Sequence, residues 1–365
     1  MQAKLLDSRD IRGKRHELAF VVVLFLIAIL RTDKKLTVSV IHRSMVEDCG
    51  RLAAELGIKV DKCVSYSQLK RILKIIDYQQ FNSINVSYFG SVVHSEADQW
   101  FSLDGKELRG TIDRVSGEKR GLSIVNLTSH QSGQSQLIGH YDGSKASEKP
   151  VVCTYFKQAH LSPYKYSFDA LHTSRENLAT IASKKGVYLA ALKANQKSIL
   201  AECEWIDKQL KASWQQTDYQ KGHGRVEKRH YKGYDFVAAE FDQRWKQTQT
   251  LSLIVVERER FIVKTKKTTQ ETSYWISNQV LDNDSFDEMC QAIRNHWCIE
   301  VHHHQRDVQL GEDQLRIKDH NQALTVASFI TLASNLVEKQ GGNKSILREK
   351  LTKNWNLILP IFNAI

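Results

Sequence analysis

The chain has 365 residues, 41% of them hydrophobic and 25% charged, which is the composition of a globular protein of two or three domains and excludes a disordered, collagen-like or low-complexity chain. Lys and Arg total 52 against 41 Asp and Glu, a formal charge of +11, so the partner to look for is a polyanion, nucleic acid first. Six widely spaced cysteines with no C-x-x-C pair argue against a secreted disulfide framework and fit a reducing cytosol.

The longest apolar run, Leu18–Leu30, has 13 residues. A membrane-spanning helix needs about 20, and Arg31, Lys34 and Lys35 follow with no small-residue cleavage site. The run therefore reads as a buried core helix, and no membrane partner is expected. Arg43 to Leu56 reads as a second helix, stopped by Gly57. Tyr66 to Ile76 reads as a third, with Leu69, Ile72, Leu73 and Ile76 at helical spacing. Residues 1–92 thus form a small helical domain, which either binds DNA or serves packing and dimerisation.

From about residue 98 the texture changes. Trp100–Gly105, Leu122–Thr128 and Ser135–Tyr141 read as strands joined by short Gly- and Ser-rich links, an antiparallel meander. A helix near Pro150–His160, a strand Tyr164–Phe168, a helix opened by a Thr173-x-x-Glu176 capping box and stopped at Gly186, and a strand Val187–Ala194 follow. This β-β-β-α-β-α-β order predicts an α/β fold, a mixed sheet with helices packed on it. Residues 195–283 interrupt the order with a basic, strand-rich segment. A helix over 285–304 resumes it, capped by Ser285-x-x-Glu288, with an apolar stripe of Phe286, Met289, Cys290, Ile293 and Trp297. Leu324–Leu336 reads as a last amphipathic helix. A basic tail covers 341–365.

Three carboxylates stand where apolar residues are expected. Asp104 lies near the end of an apolar strand, where Asp is depleted. Asp169 ends a strand just before a capped helix, the usual place for a site in an α/β sheet. Glu300 follows Ile293 and Trp297 at helical spacing, so it shares their face. Separately, Asp104 and Asp169 read as turn residues and Glu300 as a partner of Arg294 or His304. Together they suggest a divalent-metal site: hard Mg2+ takes oxygen ligands, and two ions about 4 Å apart promote in-line displacement at phosphorus. Cys298, His302, His303 and His304, with His296 nearby, form a competing zinc candidate. Basic residues cluster at Lys221, Arg225, Lys228, Arg229 and Lys232, interleaved with Tyr219, Tyr231 and Tyr234, while Lys193 and Lys197 flank Asn195 and Gln196. Such a pattern suits phosphate neutralisation and base stacking, or a merely solvated face.

These residues resemble a known family. LDGKELRG at 103–110, FDALHTSREN at 168–177, LKANQ at 192–196, GHGRVEKR at 222–229, YWISN at 274–278, IRNHWCIE at 293–300 and GEDQLRIK at 311–318 are similar to motifs of bacterial DDE-type insertion-sequence transposases. The group is the ISAs-type one that includes the H-repeat-associated proteins, and the motifs occur in that group's order. The resemblance implies an RNase H-like core over 93–340, flanked by helices, with a strand-rich insertion before the last catalytic helix and a helical domain in front. It implies Asp104, Asp169 and Glu300 as the catalytic, metal-binding triad, holding two Mg2+ or Mn2+ ions. It implies Lys193, Asn195, Gln196, Lys221, Arg225, Lys228, Arg229 and Lys232 as DNA contacts, with His296, Trp297, His304 and Arg306 in support. The activity implied is cleavage at element ends followed by strand transfer. The partners are double-stranded DNA, both terminal repeats and target, bound by a homodimer on paired ends in the bacterial cytoplasm at the nucleoid. A decayed DNA-binding derivative and a nuclease without strand transfer are the alternatives. After Glu300 the chain reads VHHHQRDV, one residue shorter than the group's usual segment and lacking its tryptophan.

Overall fold

The computed structural model describes residues 5–10, 14–32, 36–93, 99–142, 148–222 and 224–363. In chain order the main elements are α1 (Leu18–Arg31), α2 (Val38–Glu55), α3 (Tyr66–Ile75), α4 (Tyr78–Val93), β1 (Trp100–Glu107), β2 (Leu122–Ser129), β3 (Ser135–Asp142), α5 (Glu148–Gln158), β4 (Lys165–Phe168), α6 (Arg175–Ser183), β5 (Val187–Leu192), α7 (Lys197–Gln209), β6 (Trp214–Gly222), β7 (Arg225–Asp235), α8 (Ala238–Phe241), β8 (Ser252–Ile262), β9 (Lys267–Ser277), α9 (Asn283–Asn295), α10 (Cys298–His304), α11 (His320–Lys339), α12 (Lys344–Lys353) and α13 (Ile358–Asn363). The protein is an α/β molecule with a large mixed sheet, and no described helix is long and apolar enough to cross a membrane. Its contacts divide it into two compact units. Met1–Ser95, Asp104–Glu148 and Cys298–Ile365 form the first, Glu96–Leu103 and Lys149–Trp297 the second.

In the first unit α1 is buried from Leu24 to Leu30, because α2, α11 and α12 all pack against it. Its last residue, Arg31, donates to the Asp48 carboxylate of α2 at 2.7 Å and to the Leu351 carbonyl oxygen at 3.1 Å. The second helix starts earlier than its apolar spacing suggests, since the Thr37 hydroxyl accepts from the Val40 N–H and caps it. The helix α11 is not amphipathic: every residue from Gln322 to Val337 is buried. Two of its polar positions are satisfied within the helix itself, Ser328 and Thr331 donating to the carbonyls of Leu324 and Ala327. Residues 341–363 fold rather than trail. Leu351, Ile358 and Ile361 are buried, and Arg348 donates to the Thr32 carbonyl at 2.7 Å. Strands β2 and β3 pair antiparallel, and the Asn335 amide clamps the N–H and C=O of Ser135 on β3.

In the second unit the strands run β1-β4-β5-β9-β8-β7-β6. The first residues of β1 pair parallel with β4, β4 pairs parallel with β5, and the remaining neighbours are antiparallel. The basic segment 195–283 is therefore part of this sheet, since β9 pairs directly with β5, Leu189 opposite Ser277. It also contains a helix, α7, capped without a standard N-cap residue. The helix α9 covers one face, burying Phe286, Met289 and Ile293 against Leu189, Tyr231, Ile254 and Trp275. Gly233 lies under the Phe286 ring, where a Cβ would come within 2.8 Å of it.

Two predicted helix starts shift. The cap of α6 is Ser174, which accepts from the Asn177 N–H. Thr173 instead donates to the Ala191 carbonyl of β5 at 2.7 Å, and Glu176 pairs with Lys157. The cap of α9 is Asp282, with Ser285 three residues on closing the box. Glu288 is drawn away by Lys165 and by the Trp100 indole, both 2.7 Å from Oε1. The predicted helix over 285–304 is two helices. The chain turns at His296–Trp297, where the buried imidazole lies 3.0 Å from the Ser167 hydroxyl and edge-on to the Trp275 ring. The break resets the helical face, so Trp297 is 49% exposed and Glu300 is exposed too. The shared buried face read from the spacing of 293, 297 and 300 does not form.

Candidate active site

Asp104 and Glu300 belong to the first unit. Asp104 sits in the second half of β1, partly exposed, with its carboxylate 3.6 Å from His303 Nδ1. His303 lies one turn after Glu300 on α10, so the two share a helix face. Beside Asp104, the Gly105 α-carbon faces the Glu148 carboxylate, and a Cβ there would collide with it. Glu148 is fully buried and accepts from the Tyr141 hydroxyl at 2.8 Å. Burial, then the Glu148 and Asp104 charges, push the Tyr141 phenol above its ordinary range, so it stays a hydrogen-bond donor.

Asp169 lies in the second unit, just past β4. Its carboxylate accepts from the Leu171 N–H at 2.9 Å, an Asx turn that fixes the loop. Two side-chain amides hold the same loop from outside. Asn195 Nδ2 donates to the Ala170 carbonyl at 2.7 Å, and Gln196 Nε2 donates to the carbonyls of Ala170 and Thr173 at 2.8 and 2.7 Å. LKANQ thus meets FDALHTSREN physically. The pair Ser102–Ser167 closes the parallel β1–β4 ladder within this unit.

Burial, against the opposing charge of Asp169, lowers the His296 pKa to about 4. The imidazole is neutral in the fold, whereas an unfolded chain takes up its proton near 6.5. The stability this neutral form confers is present above about pH 6.5 and is lost as the pH falls toward 4, up to about 3 kcal/mol. His302, also fully buried and held well below its ordinary value, acts in the same direction. Urea midpoints should fall between pH 7 and pH 5, and His296→Gln should flatten that fall; an unchanged pH dependence in the variant would show that His296 is not the group responsible.

Carboxylate oxygens are the donors a hard divalent ion prefers. Among the described residues, however, no three or more His, Cys, Asp or Glu side chains are gathered closely enough to hold a metal ion. The zinc candidates go to separate partners. Cys298 donates to the Ser129 carbonyl, His302 is buried beside Ser334, His303 faces Asp104, and His304 is exposed.

Behind Asp104 lies a buried ionic network within the first unit. Lys106 Nζ meets Asp307 at 2.5 Å, Asp313 at 3.6 Å and Glu312 at 3.8 Å. Arg306 is wholly buried and donates to both Glu312 oxygens at 2.5 and 2.8 Å. Arg109 reaches Asp313. Gly110 closes the join: its carbonyl accepts from the Ile317 N–H at 3.2 Å, and a Cβ there would strike the Leu315 carbonyl. The network joins DGKELRG to GEDQLRIK.

Lys221, Arg225, Lys228 and Arg229 lie towards the joined ends of β6 and β7, and Lys232 lies towards the opposite end, across from Gln215. Lys221 and Lys228 are exposed, with Lys228 5.9 Å over the Tyr219 ring. Arg225, Arg229 and Arg260 converge on one buried carboxylate, Glu227. Burial opposes its charge, but the guanidiniums of Arg229, Arg225 and Arg260 outweigh it and hold Glu227 below the usual carboxylate range. Lys232 pairs with Asp207 and Glu257. Lys193 is exposed.

No protein-family profile matches the chain. Three curated proteins do. Over 308 residues, 81% of this chain and 75% of the relative, it is 25% identical to "Putative transposase YncI" of Escherichia coli O157:H7. It is also 25% identical over 297 residues, 79% of the chain and 77% of each relative, to "Putative protein YbfL" and to "H repeat-associated putative transposase YhhI" of Escherichia coli strain K12. This chain is similar to the H-repeat-associated transposases.

In this transposase-like chain, the residues missed from sequence are those that support others. Glu148 and Tyr141 beside Gly105 left only one trace, a Gly after an Asp inside an apolar strand. Lys106 and Glu312 lie inside the quoted motifs, but opposite charges some 200 residues apart carry no local signal of pairing. Of the supporting residues named from sequence, His296 and Arg306 are buried anchors, whereas Trp297 and His304 are exposed.

Proposed function

We propose that the protein is a DDE-type DNA transposase with an RNase H-like core, cleaving DNA at the ends of its own element and joining them to a target. The observation that carries this reading is the Asp169 loop just past β4, held from outside by the Asn195 and Gln196 amides of a second family-like motif. The relatives' printed names, the order of elements from β1 to β5 and the basic charge support it. On this reading Asp104, Asp169 and Glu300 are the carboxylate ligands of Mg2+ or Mn2+, a set that the described residues do not gather on their own; the metal would lower the pKa of the attacking hydroxyl or water and offset charge on the leaving oxygen. The chain's own contribution is positioning. Asn195 and Gln196 fix the Asp169 loop, Glu148 and Tyr141 back the strand at Asp104, and His303 sets Asp104 against the helix that carries Glu300. The exposed Lys221 and Lys228 would take DNA phosphates, with Arg225 and Arg229 held ready around Glu227.

The test is a cleavage and joining assay with purified protein and DNA carrying the ends of the surrounding element, in Mg2+, in Mn2+ and in EDTA. Metal-dependent joining is expected. Supplying precleaved ends with a free 3′-hydroxyl separates a nuclease, which leaves them unjoined, from a transposase. Tight end binding with neither cleavage nor joining in either metal would overturn the enzymatic reading in favour of a decayed DNA-binding derivative.

A further inference from the structure

The second unit contains an open groove of about 1560 Å3. Small-molecule pockets hold about 300–1,000 Å3, so this one suits part of a larger ligand. Five cationic side chains line it, Lys149, Lys157, Arg175, Lys197 and Arg244, against one carboxylate, Glu176. Glu176 is spent on Lys157, 2.6 Å away, and Arg244 is held by Asp242. Lys149, Arg175 and Lys197 are exposed and make no ion pair among the described residues. Most of the remaining lining is hydroxyl or amide side chains. Two helices, α6 and α7, begin at the groove with Ser174–Arg175 and Lys197–Ser198 in its wall, so their partial positive ends add to the field.

We infer that this groove is a phosphate track for duplex DNA, and that it holds target DNA rather than the element's ends. The lining decides the ligand: cations, hydroxyls, amides and helix N-termini are the groups that contact phosphate and sugar. Such contacts position a duplex but carry no sequence information. A target must be accepted whatever its sequence, whereas terminal repeats must be told apart. The groove also borders the Asp169 loop, because Thr173, Asn195 and Gln196 are among its lining residues and the two amides hold that loop. The identity of the DNA as target rests on the transposase reading; duplex binding in the groove does not.

The test is the salt dependence of binding to a random-sequence duplex by the full chain. Each phosphate contact contributes about 0.9 to the log–log slope, so Lys149→Ala/Arg175→Ala/Lys197→Ala together should lower it by up to about 2.7. The single charge reversal Lys197→Glu should weaken binding in the same direction. Circular dichroism melts of both variants confirm that they are folded. An unchanged slope and affinity in the triple variant would overturn the groove. Equal loss of affinity for a duplex carrying the terminal repeats would overturn the assignment to target DNA, since the groove would then serve the ends as well. If the wild-type protein binds random duplex through these residues yet neither cleaves nor joins DNA in either metal, the transposase reading fails and the duplex site stands.

Discussion

Arg306→Ala is expected to destabilise the protein by about 3–5 kcal/mol, the usual cost of removing one partner from a buried ion pair. The guanidinium is wholly buried and supplies donors to both oxygens of Glu312, to the Thr331 hydroxyl at 2.7 Å and to the Ala327 carbonyl at 3.2 Å. Truncation leaves the Glu312 carboxylate, 4% exposed, with Lys106 at 3.8 Å as its one remaining cation among the described residues. Equilibrium urea denaturation measures the loss as a lower midpoint. Replacing both partners, Arg306→Met with Glu312→Leu, should recover much of it, because the cost lies in the uncompensated charge rather than in the absence of a salt bridge. A loss below about 1 kcal/mol in the single variant would place Arg306 among weakly coupled surface charges instead.

The second large effect is on chemistry. Asp104→Asn, Asp169→Asn and Glu300→Gln keep side-chain shape and remove one negative charge each. If the three act together, each single change should lower cleavage by on the order of 10^3-fold, and combining them should add little, as is usual for residues that work as a unit. Affinity for end-containing DNA should hold or rise slightly with the lost negative charge. Asp169→Asn retains a side-chain oxygen for the Leu171 N–H, so a lost activity there would report charge rather than a collapsed loop. Any one variant retaining near-full cleavage would remove that residue from the set.

Much of the fold was legible because local patterns matched the final environment. The strands over β1 to β5 lie close to where alternation and Gly-rich links put them, and α1 is the buried helix that its length and flanks imply. The misreadings share one cause, which is that tertiary contacts override local signals. Thr173 has the spacing of a cap, but a β5 carbonyl takes its hydroxyl and Ser174 caps the helix. Ser328 and Thr331 lie in a helix that reads as amphipathic, but neighbouring elements bury it on every side from Gln322 to Val337. The run through Ile293, Trp297 and Glu300 looks like one helical stripe. It breaks because the His296 side chain is anchored beneath β4 and β9, which no periodicity can disclose. In the candidate site, the three carboxylates could be picked out as residues ill suited to their local surroundings. Glu148, Tyr141 and the amides that steady the Asp169 loop could not, because what they do depends on which distant segments meet.

The ring of charges joining Lys106 and Arg109 to Glu312 and Asp313 bears on how copies of such a gene age. The two most recognisable stretches of the chain owe part of their character to each other, as acid and base across a buried seam. A drifting copy that lost Asp169 or Glu300 could keep both stretches intact and remain well folded, while one that lost Arg306 would fail as a protein before its chemistry was ever tried. Paired survival of these stretches therefore marks an intact seam, while Arg306, which lies in neither stretch, is the further requirement for folding, and on the transposase reading the carboxylates keep a separate record.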